Sequence, residues 1–119
     1  MGKPIDLTLL FAKIGAWQMT TFPDADVLSC LLHLQDEMLE LEDEVYALRN
    51  GLVAHGAMSK DVAQTREALA GELADVVHLC IALAAAAEVH LPTAILKKFE
   101  QNKDRTFTYD PDRGYMKGD

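Results

Sequence analysis

Cysteine is nearly missing from this chain of 119 residues, and positive charge is scarce. The two cysteines, Cys30 and Cys80, lie in apolar helical runs and belong to no CxxC or Cys/His pattern. A thiolate metal site and a disulfide framework are therefore not expected, and both residues read as buried thiols in a reducing compartment. Eleven Lys and Arg stand against nineteen Asp and Glu, a net charge of −8. That balance argues against a general binder of nucleic-acid backbones and against a binder of anionic membranes. It leaves room for a small phosphorylated ligand held through a metal, because carboxylates gather cations and cations gather phosphates. Strand signals are also scarce: there is no alternating Val/Ile/Thr run and no Asn-Gly hairpin. No internal repeat or low-complexity tract is present. The stretch MGKPIDLTLLFAKIG has neither a long apolar core nor a small-residue cleavage site, so no signal peptide is expected. The most apolar run, Val76 to Ala87, carries His78 and is shorter than the ~20 residues of a membrane span. A cytoplasmic location is the expectation.

What is present is helical spacing. Hydrophobic residues make up 50% of the chain and charged residues 25%, a balance that suits one globular domain. Leu7, Leu10, Phe11, Ile14 and Trp17 share one side of a helix expected over about residues 5–19, with Pro4 suited to its start. Val27, Leu31, Leu34, Met38, Leu41, Val45 and Leu48 form a heptad-like stripe on a second helix over about 24–48, with Asn50-Gly51 as its stop. The segment through His55, Gly56 and Ser59 reads as a loop. Ser59 or Asp61 caps a third helix that ends near His90. A shorter fourth helix is expected over about 92–102. The fold class is therefore all-α: a small bundle of about four helices, with one domain over 1–105 and an extended or partly disordered tail over 106–119. The alanines between Ala82 and Ala87 suit the close approach of another helix.

On the second helix alone the acids read equally well as a solvated acidic face or as a cation site, and the third helix favours the cation. At about 100° per residue, Glu37, Glu40 and Glu44 share a strip with His33 beside the Leu34–Met38–Leu41–Val45 stripe. Asp36 and Asp43 point further outward. Like charges three and four residues apart repel unless something neutralises them. On the third helix, the apolar stripe through Ala68, Val76, Leu79, Leu83 and Ala86 includes Glu72 and Asp75. Buried carboxylates are costly without a partner, and residues 67–96 contain no Lys or Arg. A divalent cation between the two helices satisfies both helices, and an all-oxygen ligand set suits Mg²⁺ or Mn²⁺ over Zn²⁺. Asp75-Val-Val-His78 is half of the Glu-x-x-His pattern of di-iron bundles, but only one imperfect copy exists.

Asp36-Glu37-x-x-Glu40 followed by Glu72-x-x-Asp75 resembles the MazG-like nucleotide pyrophosphohydrolases of the all-α NTP pyrophosphatase superfamily, whose signature is E-E-x-x-E then E-x-x-D. The likeness extends through HLQDEMLELEDE, GELADVVHLCIALA and LPTAILKKFEQNKDRTF, roughly residues 28–107. The chain departs from the pattern at Asp36, which stands where the first Glu is usual. The resemblance implies hydrolysis of a ribo- or deoxynucleoside triphosphate between the α and β phosphates, giving a monophosphate and pyrophosphate. It implies Mg²⁺, or Mn²⁺, held by Glu37, Glu40, Glu72 and Asp75, with Glu37 or Glu40 orienting or deprotonating the attacking water. Asn102 and Arg105 match the family's Asn-x-x-Arg element. With Lys98 and Lys103 they form a basic cluster suited to phosphate, in a chain otherwise poor in cations. Trp17 or Phe22 offers a face for a nucleobase, and His33, one turn before Glu37, lines the same pocket. The resemblance also implies a bundle completed by oligomerisation, as a homodimer or homotetramer; no nucleic acid and no membrane is expected as partner. Two rivals stand beside this reading: an acidic bundle that only binds another protein, and a redox di-metal carboxylate bundle.

Overall fold

The computed structural model describes Gly2 and residues 4–118. Its helices are α1 (Leu7–Thr21), α2 (Val27–His55), α3 (Lys60–Ala86) and α4 (Leu91–Lys103), followed by strands β1 (Phe107–Asp110) and β2 (Gly114–Lys117). The all-α class and the four helices agree with the sequence pattern. The chain divides into two compact units, Met1–Val89 and His90–Asp119. Within the expected tail over 106–119, residues 107–110 and 114–117 form a strand pair.

In the first unit, α3 packs along α2 and against α1. Capping explains where the helices start. The Asp6 carboxylate accepts from the Leu9 N–H at 3.0 Å. Asp26 accepts from the Ser29 N–H, and the Ser29 hydroxyl accepts from the Asp26 N–H, both at 2.9 Å, which makes a reciprocal capping box at α2. Ser59 Oγ accepts from the Val62 N–H at 3.1 Å and opens α3. Helix α2 runs through Asn50-Gly51 to His55 and stops at Gly56, whose φ of 81° suits glycine. Helix α3 ends at Ala86, short of His90, where Glu88 adopts a φ of 57°.

The buried apolar residues among those described are Cys30, Val62, Ile81, Ala82 and Ala84. Gly15 of α1 is buried against α3: a Cβ placed there would lie 3.6 Å from Ala85 Cβ and 3.7 Å from Ile81 Cγ2. The alanine-rich end of α3 is thus a close helix contact. The α2 stripe divides in two. Leu34, Leu41 and Leu48 are partly covered, while Val27, Leu31, Met38 and Val45 remain exposed. On α3 the covered file includes Leu69 and Val76, and Ala68 faces solvent. Helix α3 spans 27 residues with an 18-residue window of mean hydropathy 1.7, so by length and composition alone it is long enough to cross a membrane. The run expected from Val76 to Ala87 understates it.

The second unit stands on its own capping. His90 Nδ1 accepts from the Thr93 N–H at 3.3 Å, and Pro92 occupies the first turn of α4. Strands β1 and β2 pair antiparallel, with Tyr109 opposite Tyr115 and Phe107 opposite Lys117.

Candidate metal centre and the adjoining cavity

Helices α2 and α3 bring three carboxylates together. Ligand oxygens of Glu37, Glu40 and Glu72 all lie within 4.8 Å of one another. Glu37 and Glu72 are half-buried and Glu40 is exposed. One oxygen of each half-buried acid, Glu37 Oε2 and Glu72 Oε2, is buried with no hydrogen-bond partner. Carboxylates are acceptors only when ionised, so an orphaned buried oxygen needs a proton or a cation. Burial, followed by the neighbouring carboxylates Glu40 and Glu72, pushes the Glu37 carboxyl up to about 7. Burial also raises that of Glu72. This donor set fits a hard divalent cation: three carboxylates, two starved oxygens and no Lys or Arg between residues 67 and 96.

Asp75 stands outside this trio. Its side chain is exposed: the covered file of α3 runs through Leu69, Glu72, Val76, Leu79 and Leu83, which keeps most of the expected line but leaves out Ala68 and Asp75. It still reaches the site from another side. Asp75 and Glu37 both line a cavity of about 670 Å³ formed by α1, the α1–α2 loop, α2 and α3. His33 and His78 line it between these acids and its far end, and neither belongs to the carboxylate trio. At the far end stand Trp17 and Phe22, edge to face with ring centroids 5.7 Å apart at 87°. The structure therefore brings Trp17 and His33 to one cavity with Glu37 and Asp75. Asp24 and Gln18, which the sequence reading did not single out, line the same cavity. The signal that points to them is their place beside the break after α1, next to the single tryptophan.

The basic cluster is in the second unit. At the end of α4 and just beyond it, Arg105 Nη1 donates to Asn102 Oδ1 at 3.4 Å. Lys103 Nζ lies 2.8 Å from Glu100 Oε2 and 5.1 Å from the Phe99 ring centroid. Lys98 is exposed on α4. Asn102, Lys103 and Arg105 are thus neighbours, with Lys103 partly neutralised by Glu100.

No protein-family model matches the chain, and no curated protein matches it. Among solved structures, a MazG-like pyrophosphohydrolase of cyanophage S-2L, bound to dGDP and three catalytic Mn²⁺ ions per active site, is similar with a TM-score of 0.61. The match covers 98% of this chain and 100% of that one, at 22% identity. The chain has the fold of that MazG-like protein.

Proposed function

We propose that this protein is a divalent-cation-dependent nucleotide pyrophosphohydrolase. It adds water to a ribo- or deoxynucleoside triphosphate, breaks the bond between the α and β phosphates, and releases a nucleoside monophosphate and pyrophosphate. The observation that carries this reading is the pair of buried, unpartnered oxygens on Glu37 and Glu72, beside Glu40 and at one end of a nucleotide-sized cavity. The cyanophage protein of the same fold, bound to a nucleotide and Mn²⁺, supports it.

Glu37, Glu40, Glu72 and Asp75 hold the cation, Mg²⁺ with Mn²⁺ as the alternative. When bound, Mg²⁺ supplies positive charge to phosphate oxygens, the main need of phosphoryl transfer. The chain's own residues do the rest. Glu37 or Glu40 orients the attacking water and accepts its proton. Lys98, Asn102, Lys103 and Arg105 contact phosphate. Trp17 and His33 hold the base end. The active form is a cytoplasmic homodimer or homotetramer, with no nucleic acid and no membrane as partner. The binding-only bundle leaves the two orphaned oxygens without a purpose, and a redox di-metal centre lacks a histidine in the carboxylate trio.

Glu40→Gln and Asp75→Asn test the reading, because both side chains are exposed and their loss leaves the packing intact. Mg²⁺-dependent pyrophosphate release is expected to fall to background in both, with an unchanged helical circular-dichroism spectrum. Undiminished turnover in both variants overturns the site assignment.

A further inference from the structure

The cavity has two chemically different ends, and the second has a feature the proposed reaction does not use. From Glu37 to Cys30 along α2, and from Asp75 to Ala82 along α3, the cavity wall is seven residues long, about 10 Å at helical rise. That is the reach of a nucleotide from its α-phosphate to the outer edge of its base. The far end is mostly apolar: the Trp17–Phe22 corner, with Pro23, Ala25 and Cys30 beside it. A single acidic side chain stands at that end, Asp24, among the polar groups Gln18, Thr21 and Ser29.

Asp24 is an exposed member of the cavity lining. Asp26, two residues on, caps α2 through Ser29, but none of the hydrogen bonds or ion pairs among the described residues uses the Asp24 carboxylate. Its backbone is nevertheless held. Phe22-Pro23-Asp24-Ala25 is a tight turn in which the Ala25 N–H donates to the Phe22 carbonyl at 3.1 Å, and the Phe22 N–H donates to the Gln18 carbonyl at 2.9 Å. Proline in its second position stiffens that turn. With its backbone held and no protein partner for its carboxylate, Asp24 is open to hydrogen-bond donors of a ligand in the cavity.

We propose that Asp24 determines base specificity by accepting two hydrogen bonds from the Watson–Crick edge of guanine; the proposal rests on the nucleotide reading of this cavity. A carboxylate offers two acceptor oxygens and no donor. Guanine presents two adjacent donors there, the ring N1–H and the exocyclic amino group. Adenine and cytosine put a ring-nitrogen lone pair beside their amino group, which meets the carboxylate unfavourably. Thymine and uracil offer one N–H between two carbonyls. The amide of Gln18, on the last turns of α1, supplies a donor for the remaining guanine carbonyl. Charge-assisted pairs of this kind are short and stronger than neutral ones.

The test is titration of the protein in Mg²⁺ with dGMP, dIMP and dAMP, followed by the fluorescence of Trp17, the only tryptophan. Wild type is expected to bind dGMP at least tenfold more tightly than dAMP, with dIMP, which lacks the 2-amino group, in between. Asp24→Ala should weaken dGMP binding about ten- to a hundredfold, the cost of one good bidentate base contact, and leave dAMP unchanged. Asp24→Asn should level or invert the preference, since an amide donates to the adenine ring nitrogen and accepts from its amino group. Absence of dGMP binding by wild type, no preference in wild type, or an unaltered dGMP-to-dAMP ratio in both variants overturns the proposal. Pyrophosphate release from dGTP, followed in parallel, separates the two readings. Base-selective binding that depends on Asp24 but without turnover refutes the enzyme reading and keeps this one. Turnover with no effect at Asp24 does the reverse.

Discussion

Glu37 sits half-buried with one carboxylate oxygen cut off from both water and hydrogen-bond donors, and its carboxyl is raised to about 7 by that burial and by Glu40 and Glu72. The consequence for stability has a definite sign. A carboxyl whose folded value lies above its unfolded one near 4.5 stabilises the fold most below that unfolded value, and the contribution is lost as pH rises through about 7. The metal-free protein is therefore expected to melt at a higher temperature at pH 5 than at pH 8, measured by calorimetry in chelator. Glu37→Gln should flatten that dependence. Added Mg²⁺ should act oppositely, raising the melting temperature more at pH 8 than at pH 5, because ligands must be ionised to bind a cation. A metal-free melting temperature that does not change with pH would refute the account. The acids were legible in the sequence because carboxylates at helical spacing among apolar residues have no cheap structural purpose. Their individual exposures were less so. On α3 the covered face keeps Glu72, Val76, Leu79 and Leu83 but leaves Asp75 exposed at its edge and covers Leu69 in place of Ala68, a difference that angular projection does not resolve.

The helices and their starts were readable because caps are local chemistry, as Ser59 illustrates. Their ends were decided by packing. Gly51 looked like a stop, yet α2 continues past it to His55, where it packs closely on α3: a Cβ at Gly51 would lie 3.4 Å from Cγ2 of Val62, a fully buried residue. The glycine permits the approach of α3 and tertiary contact outweighs its low helix propensity. Gly15 is a looser case. The 3.6 and 3.7 Å distances there are ordinary contacts, so Gly15→Ala should stabilise α1 by up to about 1 kcal/mol. Gly15→Leu should destabilise by about 1–3 kcal/mol through overpacking against Ile81 and Ala85. Glu88 was hidden inside the expected third helix. It takes a left-handed conformation after Ala86, while the Val89 N–H donates to the Ala84 carbonyl at 2.8 Å. Glu88→Gly should raise stability by about 1 kcal/mol, since glycine has no Cβ to strain there. Urea unfolding of the three variants checks all these signs. The strand pair was missed because four residues per strand make too short an alternation. Its signal lay in the turn, where Asp110 Oδ1 accepts from the Asp112 and Arg113 N–H groups at 2.8 and 3.2 Å and Gly114 takes a φ of 79°.

The heptad stripe of α2 has more apolar surface than one copy of the first unit can use. Leu34, Leu41 and Leu48 are partly covered, whereas Leu31, Met38 and Val45, at the alternate heptad positions, are 40%, 48% and 47% exposed. An apolar line at regular spacing differs from the scattered exposed side chains of ordinary surfaces, and lines of this kind mark association faces. The sequence pattern showed the stripe but not its division, because periodicity reports which residues are apolar and not which neighbour covers them. In the proposed oligomer, a second copy would cover Leu31, Met38 and Val45. Sedimentation velocity at micromolar concentration should then show a dimer or tetramer, and Met38→Lys with Val45→Lys should shift it toward monomer and lower the melting temperature. Because Glu37 and Glu40 flank Met38 on the same helix, loss of association in this variant should also weaken Mg²⁺-dependent stabilisation. A wild type that sediments as a monomer, with unchanged melting in the double variant, would mean that the exposed half of the stripe is surface and that each chain holds its carboxylates in place alone.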